Sequence, residues 1–137
     1  MVECRSYRLS GVVVSGVGKG SYYVELYRDA FRRALGLDPY PGTLNIDLGF
    51  DAGFIWRTLD SITVYPPNSG LGIVYALPAM IDSIRGYIVR SEKTIHGWNI
   101  IEFISDVHVR SRLGLRDGDS IKVIVYDRKC MCLYREI

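Results

Sequence analysis

Short apolar runs, cut by Gly and Pro, set the rhythm of this chain. Val12-Val13-Val14 is a compact β-branched run that suits a buried strand. It stops at Ser15-Gly16-Val17-Gly18-Lys19-Gly20, and Ser21-Tyr22-Tyr23-Val24 is expected to resume an extended pattern. From Tyr27 the period changes. Tyr27, Phe31 and Leu35 recur at helical spacing with Ala30 and Ala34 beside them, while Arg28, Asp29, Arg32 and Arg33 face outward. Gly36 is the expected C-cap of that helix. A Pro41-Gly42 turn then opens an alternating segment, residues 43–48. Alternation puts Thr43, Asn45 and Asp47 on one face and Leu44, Ile46 and Leu48 on the other.

Further along, residues 61–65 and 71–77 read as strands separated by Pro66-Pro67-Asn68-Ser69-Gly70, a turn cluster. Residues 86–90 and 99–105 give two more strands. Ser105 or Asp106 can cap a short helix that runs to Leu113 and stops at Gly114. Asp117-Gly118-Asp119 is another turn. Ile121, Val123 and Val125 mark the last strand, with Lys122 and Ile124 between them. Six or seven short strands with two short helices, on one domain covering residues 1–137, predict a mainly β fold closed into a barrel. Closure removes the sheet edges that Val, Ile and Tyr would otherwise expose. A doubly wound α/β fold fits worse, because helices do not alternate with strands.

Composition narrows the function classes. A chain of 137 residues can bury roughly 68–70% of its unfolded surface, enough for one core. The formal net charge is only +2, against the basic stripe usual in a nucleic-acid binder. Arginines cluster locally, at Arg28, Arg32 and Arg33 and at Arg110, Arg112 and Arg116, as solvated helix faces do. No apolar run approaches the length of about 18 residues needed to span a membrane, and Met1-Val2-Glu3-Cys4-Arg5 carries no signal-peptide pattern. Cys4, Cys130 and Cys132 match neither a disulfide framework nor a C-x-x-C motif, so reduced cysteines in a cytoplasmic protein are expected.

Two stretches carry candidate chemistry. Thr43 and Asn45 point two neutral oxygens the same way at a strand start. That is a partial shell for Mg²⁺, a hard cation that shares oxygen ligands with phosphates; closing the turn is the competing role. In residues 16–21, glycines at alternate positions let the backbone approach a ligand and offer N–H groups to phosphate oxygens, with Lys19 adding a charge. The spacing is neither a Walker A loop nor the dinucleotide fingerprint, and a hairpin turn is the plain alternative. Glu102 is the one charge in Asn99-Ile100-Ile101-Glu102-Phe103-Ile104. It either faces solvent from an edge strand or lines a pocket. His96 has no second His or Cys near it in sequence, which argues against a metal role. Tyr22, Tyr23 and Tyr40 can stack on a planar ligand, although most of the ten tyrosines must be packing.

Taken together and in order, these pieces resemble the archaeal CTP-dependent riboflavin kinases. The matching residues are Val13-Val14-Ser15-Gly16-Val17-Gly18-Lys19-Gly20, Phe31, Leu35-Gly36 and Pro39-Tyr40-Pro41-Gly42-Thr43-Leu44-Asn45. Lys93-Thr94-Ile95-His96, Ile100-Ile101-Glu102, Leu113-Gly114-Leu115 and Asp117-Gly118-Asp119 follow. The match is weakest over residues 50–84 and past Asp127. Some members carry a further N-terminal winged-helix domain, for which this chain has no room. The resemblance implies a six-stranded cradle-loop barrel of the RIFT type and transfer of the CTP γ-phosphate to the riboflavin 5′-hydroxyl. By position it implies CTP contacts at Gly16, Val17, Gly18, Lys19, Gly20 and Ser21, with more from Val107, His108, Val109 and Arg110. Mg²⁺ falls to Thr43 and Asn45, and the flavin nucleotide to Thr94 and Glu102, with Glu102 the candidate base or orienting group. Lys19 departs from the family, whose loop can be acidic there. The partners implied are riboflavin and CTP, with a monomer and no nucleic acid or membrane. Two rivals stand beside this reading: a swapped-hairpin barrel acting as a DNA-binding regulator, suggested by the Leu-Gly-Leu and Asp-Gly-Asp entry, and a barrel that binds flavin without chemistry.

Overall fold

The computed structural model describes residues 4–16 and 20–131. Val17, Gly18 and Lys19 of the glycine loop, and Cys132, lie outside the described residues. Seven strands lie among the described residues: β1 (Ser6–Val14), β2 (Leu44–Asp47), β3 (Ile62–Val64), β4 (Val74–Ile81), β5 (Ile84–Ser91), β6 (Ile100–Ile104) and β7 (Ser120–Tyr126). All pairings are antiparallel. Six strands close a barrel in the order β4-β5-β6-β2-β1-β7, and β7 returns to β4. β3 lies outside the ring, on the first half of β4.

Strand alternation makes two cores rather than one. Inward residues such as Val13, Ile46, Leu77, Ile88, Phe103 and Val123 fill the barrel. Outward residues Val74, Ala76, Tyr87, Val89 and Ile104 form a second apolar surface. That surface is covered by α1 (Gly20–Leu26) and α2 (Arg28–Leu35) through Val24, Tyr27, Phe31 and Leu35. Each fully buried aliphatic or Phe side chain contributes about 1.5–3 kcal/mol, so the helical layer is firmly held. α2 ends at Gly36 in the left-handed region, as its sequence predicts.

Four differences from the sequence reading have physical causes. The described residues hold four short α-helices, not two: α3 (Gly53–Thr58) and α1 are additional to α2 and α4 (Val109–Leu113). Residues 21–24 are helical rather than extended. Their β-branched and aromatic character favours strands locally, but burying Val24 and Tyr27 on the outer face of the sheet overrides that preference. The glycine loop therefore joins a strand to a helix and is not a hairpin turn. α4 starts at Val109, later than expected, because Ser105 Oγ accepts from the Val107 N–H (3.1 Å) in a tight turn before it.

β4 also runs on past Leu77. Its free edge pairs with β3 up to Ala76 and with β7 from Ala79. Pro78 falls between the two pairings, a place where a missing N–H is tolerated. The cysteine expectation is corrected as well. Cys4 and Cys130 form a disulfide, because Ser6 pairs with Tyr126 and the two strand ends meet beyond it.

Candidate active site

β2 leaves the Pro-Gly turn beside β6 and β1. Asn45 sits opposite Glu102 on β6 and opposite Val14 at the end of β1. Thr43 Oγ1 donates to Glu102 Oε1 at 3.3 Å. These three side chains occupy the outer face of the barrel, since their neighbours Leu44, Ile101 and Phe103 point into its core. The two described ends of the glycine loop press on the same spot. A Cβ at Gly16 would stand 2.6 Å from Asn45 Nδ2, and one at Gly20 would stand 2.9 Å from Thr43 Oγ1. Only glycine allows the backbone so close.

The Asn45 side chain is buried, at 6% exposure, and its Oδ1 has no hydrogen-bond partner among the described residues. A buried acceptor left unpaired costs free energy, and such exceptions ask for a reason. With the Thr43 hydroxyl beside it, the donor set suits a hard cation that brings its own phosphate and water oxygens. Asp47, on the same strand face, is otherwise engaged: its Oδ1 accepts from the Gly49 N–H (2.9 Å) and Asn99 Nδ2 (3.1 Å). No group of three or more His, Cys, Asp or Glu gathers into a metal site among the described residues.

Two cavities flank this centre. The larger, about 600 Å³, lies between α1 and the turn after β5; Tyr23, Tyr27, Thr94, His96 and Glu102 line it. Burial pushes the Glu102 carboxyl up from its ordinary value, against the opposing pull of His96, the Thr43 hydroxyl and Arg90. Burial likewise pushes the Tyr23 phenol up, helped by the negative charge of Glu102. The Thr94 turn is braced from behind. Arg90 stacks on Trp98 with its guanidinium carbon 3.8 Å from the ring centroid, and it donates to the carbonyls of His96 (3.0 Å) and Gly97 (3.3 Å). Thr94 Oγ1 in turn accepts from the His96 N–H at 3.1 Å.

The smaller cavity, about 100 Å³, is lined by Thr43, Val107, His108, Val109 and Arg110 together with Tyr40. Tyr40 and His108 stack with ring centroids 4.7 Å apart. Thr43 thus lines one cavity, while its neighbours Gly20 and Glu102 line the other. The model named CTP-dep_RFKase, described as "Domain of unknown function DUF120", matches residues 13–125.

The chain belongs to the CTP-dependent riboflavin kinase family. It is 45% identical to the riboflavin kinase of Staphylothermus marinus over 89% of this chain and 94% of that protein. Identity to the riboflavin kinase of Aeropyrum pernix is 41%, over 85% and 94%. The riboflavin kinase of Pyrobaculum islandicum is 44% identical, but the chain spans 61% of its length. Within this family member, the residues expected around one site do converge. Gly16, Gly20, Thr43, Asn45 and Glu102 meet at the centre, Thr94 lies on one side and residues 107–110 on the other. Ser21 is an exposed residue of α1. The sequence places Tyr27 only in a helix core and argues only against a metal role for His96; both line the larger cavity. A tyrosine one turn after Tyr23 on the same helical stripe was the available signal.

Proposed function

We propose that this family member is a riboflavin kinase that uses CTP, making FMN and CDP from riboflavin and CTP in the presence of Mg²⁺. One observation carries the reading: a buried Asn45 oxygen, unpartnered among the described residues, sits beside Thr43 against Gly16 and Gly20, the described ends of the glycine loop, between a wide cleft and a small cavity. The cleft, with Tyr22, Tyr23 and Tyr27 in its wall, suits a planar ring, and the small cavity, with Ser105, His108 and Arg110 in its wall, offers polar groups to part of the nucleotide. The centre lies between them, where the two substrates must meet.

Phosphoryl transfer demands positioning and charge neutralisation more than covalent help. Thr43 and Asn45 would hold Mg²⁺, which supplies neutralisation of the phosphate oxygens when bound. Loop N–H groups cradle the phosphates. The riboflavin 5′-oxygen forms a bond to the γ-phosphorus, the bond from that phosphorus to the β-phosphate bridge oxygen breaks, and CDP leaves. Glu102 orients the hydroxyl and accepts its proton; its upward-shifted carboxyl is a better base than an ordinary glutamate. Thr94 and the Tyr23 ring hold the flavin.

The enzyme is taken to work as a monomer in the cytoplasm, without nucleic acid. The DNA-binding rival needs free arginines, yet half of the six in the two clusters are paired, Arg28 and Arg32 with Asp38 and Arg110 with Asp117. Incubation with riboflavin, Mg²⁺ and each of the four nucleoside triphosphates, followed by separation of FMN, tests the proposal. FMN should form fastest with CTP. Preference for ATP removes the donor assignment, and no FMN with any donor leaves a flavin-binding barrel.

A further inference from the structure

Asp117 lies outside the two cavities, in the turn between α4 and β7, yet it reaches both nucleotide-side segments. Its carboxylate accepts a hydrogen bond from Ser15 Oγ, the residue directly before Gly16. The other oxygen accepts from Arg110 Nη2 at 2.7 Å. Arg110 also donates to the Val14 carbonyl at 3.3 Å, from the small cavity that it lines. The turn itself is fastened to β1: the Gly118 N–H donates to the Val13 carbonyl, and the Val13 N–H to the Asp119 carbonyl, both at 2.8 Å. Asp117 is therefore a fixed post with one arm on the glycine loop and one on residues 107–110.

We propose that Asp117 is the positioning residue of the nucleotide half of the site, holding the entry to the glycine loop and Arg110 in one register. The inference rests on the CTP reading above. Both carboxylate oxygens are used, and the hydrogen bonds from Ser15 and Arg110 keep the Asp117 carboxyl below its ordinary range. Asp117 is 52% exposed and Arg110 31% exposed, so the pair adds little to overall stability. Its consequence is geometric: small misplacements of binding groups are costly when phosphates must lie in line.

The test compares Asp117→Ala with the wild-type chain. The KM for CTP should rise about tenfold or more, while the KM for riboflavin stays within about twofold. Calorimetric titration with CDP should show the same loss of affinity, and the thermal midpoint should scarcely move. Asp117→Glu, which keeps the charge, should recover part of the CDP affinity. Asp117→Asn makes the same comparison if the alanine variant does not fold. Unchanged CDP affinity, or equal losses for riboflavin and nucleotide that follow a falling midpoint, overturns the assignment. A wild-type chain that binds no CDP and makes no FMN overturns the functional reading, and the inference with it.

Discussion

The two sides of Thr43 are built in different ways. On one side, α1 and the turn after β5 form a wide cleft of about 600 Å³ whose walls are largely apolar and include Tyr22, Tyr23 and Tyr27. Tyr22 and Ile95 stand at it 72% and 78% exposed. On the other, a cavity of about 100 Å³ is edged by the Tyr40–His108 stack, and its Arg110 is tied by hydrogen bonds to β1 and Asp117. A planar ring is gripped mainly by apolar area, which tolerates an open cleft. A triphosphate is gripped by directional donors and charge, which demand a fixed frame. The helical layer supplies the first kind of wall and the barrel rim supplies the second. The Thr43–Asn45–Glu102 centre joins the two, with Thr43 in the wall of the small cavity and Glu102 in the wall of the cleft.

The centre should therefore give the largest loss. Thr43→Ala and Asn45→Ala are each expected to cut FMN formation by about 100-fold or more, the scale of a damaged metal shell. Asn45→Ala has a second signature, because it removes the unpaired buried oxygen. Stability without Mg²⁺ and CTP should fall little, or rise, while the protection that Mg²⁺ with CTP gives in a thermal melt should vanish. Near-wild-type turnover in either variant would separate the metal from β2 and break the picture of one shared centre.

Next in size is Glu102→Gln, which asks to which side Glu102 belongs. As the orienting group and base, it should lower kcat by about 100-fold, within the range for general base catalysis, and leave riboflavin affinity almost unchanged. A loss confined to riboflavin binding would make it a wall of the cleft and nothing more. Stability supplies an independent check. The folded-state pKa of Glu102 is raised by burial, so the ionised carboxylate costs the fold stability. That cost is absent below the unfolded-state pKa and complete above the folded-state pKa. Glu102→Gln should accordingly raise the thermal midpoint at neutral pH, and the gain should shrink as the pH falls through the carboxylate range. A variant less stable than wild type at neutral pH would show that the carboxylate is held by more than Thr43, His96 and Arg90.

How much of this was legible follows from where each signal lies. Thr43 and Asn45 stand two residues apart, just before and within β2, and the alternating pattern of residues 43–48 alone put them on one face. Gly36 and Gly114 end their helices as their sequence positions suggest. α1 was not legible, because Tyr22, Tyr23 and Val24 favour a strand until a second, outer core gives Tyr23 and Val24 something to cover. Nor was the role of Asp117, whose arms reach Ser15 and Arg110 across 102 and 7 residues of sequence. Long-range ties of that kind leave no periodic trace. The cysteine error is of the same type: Cys4 and Cys130 are 126 residues apart in sequence, and only the β1–β7 ladder brings their Cα atoms to 5.1 Å.

That disulfide supplies the smallest effect on catalysis and a control for the others. It closes nearly the whole chain into one loop, and loop-closure entropy gives an upper limit of about 5 kcal/mol for its contribution. Cys4→Ser, or full reduction, should lower the thermal midpoint by up to roughly 10–15 °C. The bond joins the start of β1 to the turn after β7, whereas the site uses the far end of β1, at Val14. Both KM values and kcat should hence stay within about twofold of the disulfide-bonded enzyme, well short of even one tenfold step. If reduction shifts the KM for CTP but not for riboflavin, strain at the start of β1 is reaching Val14 and the glycine loop. The nucleotide side would then depend on the whole strand as well as on Asp117, and the contrast between an open cleft and a fixed frame would extend from the rim to the base of the barrel.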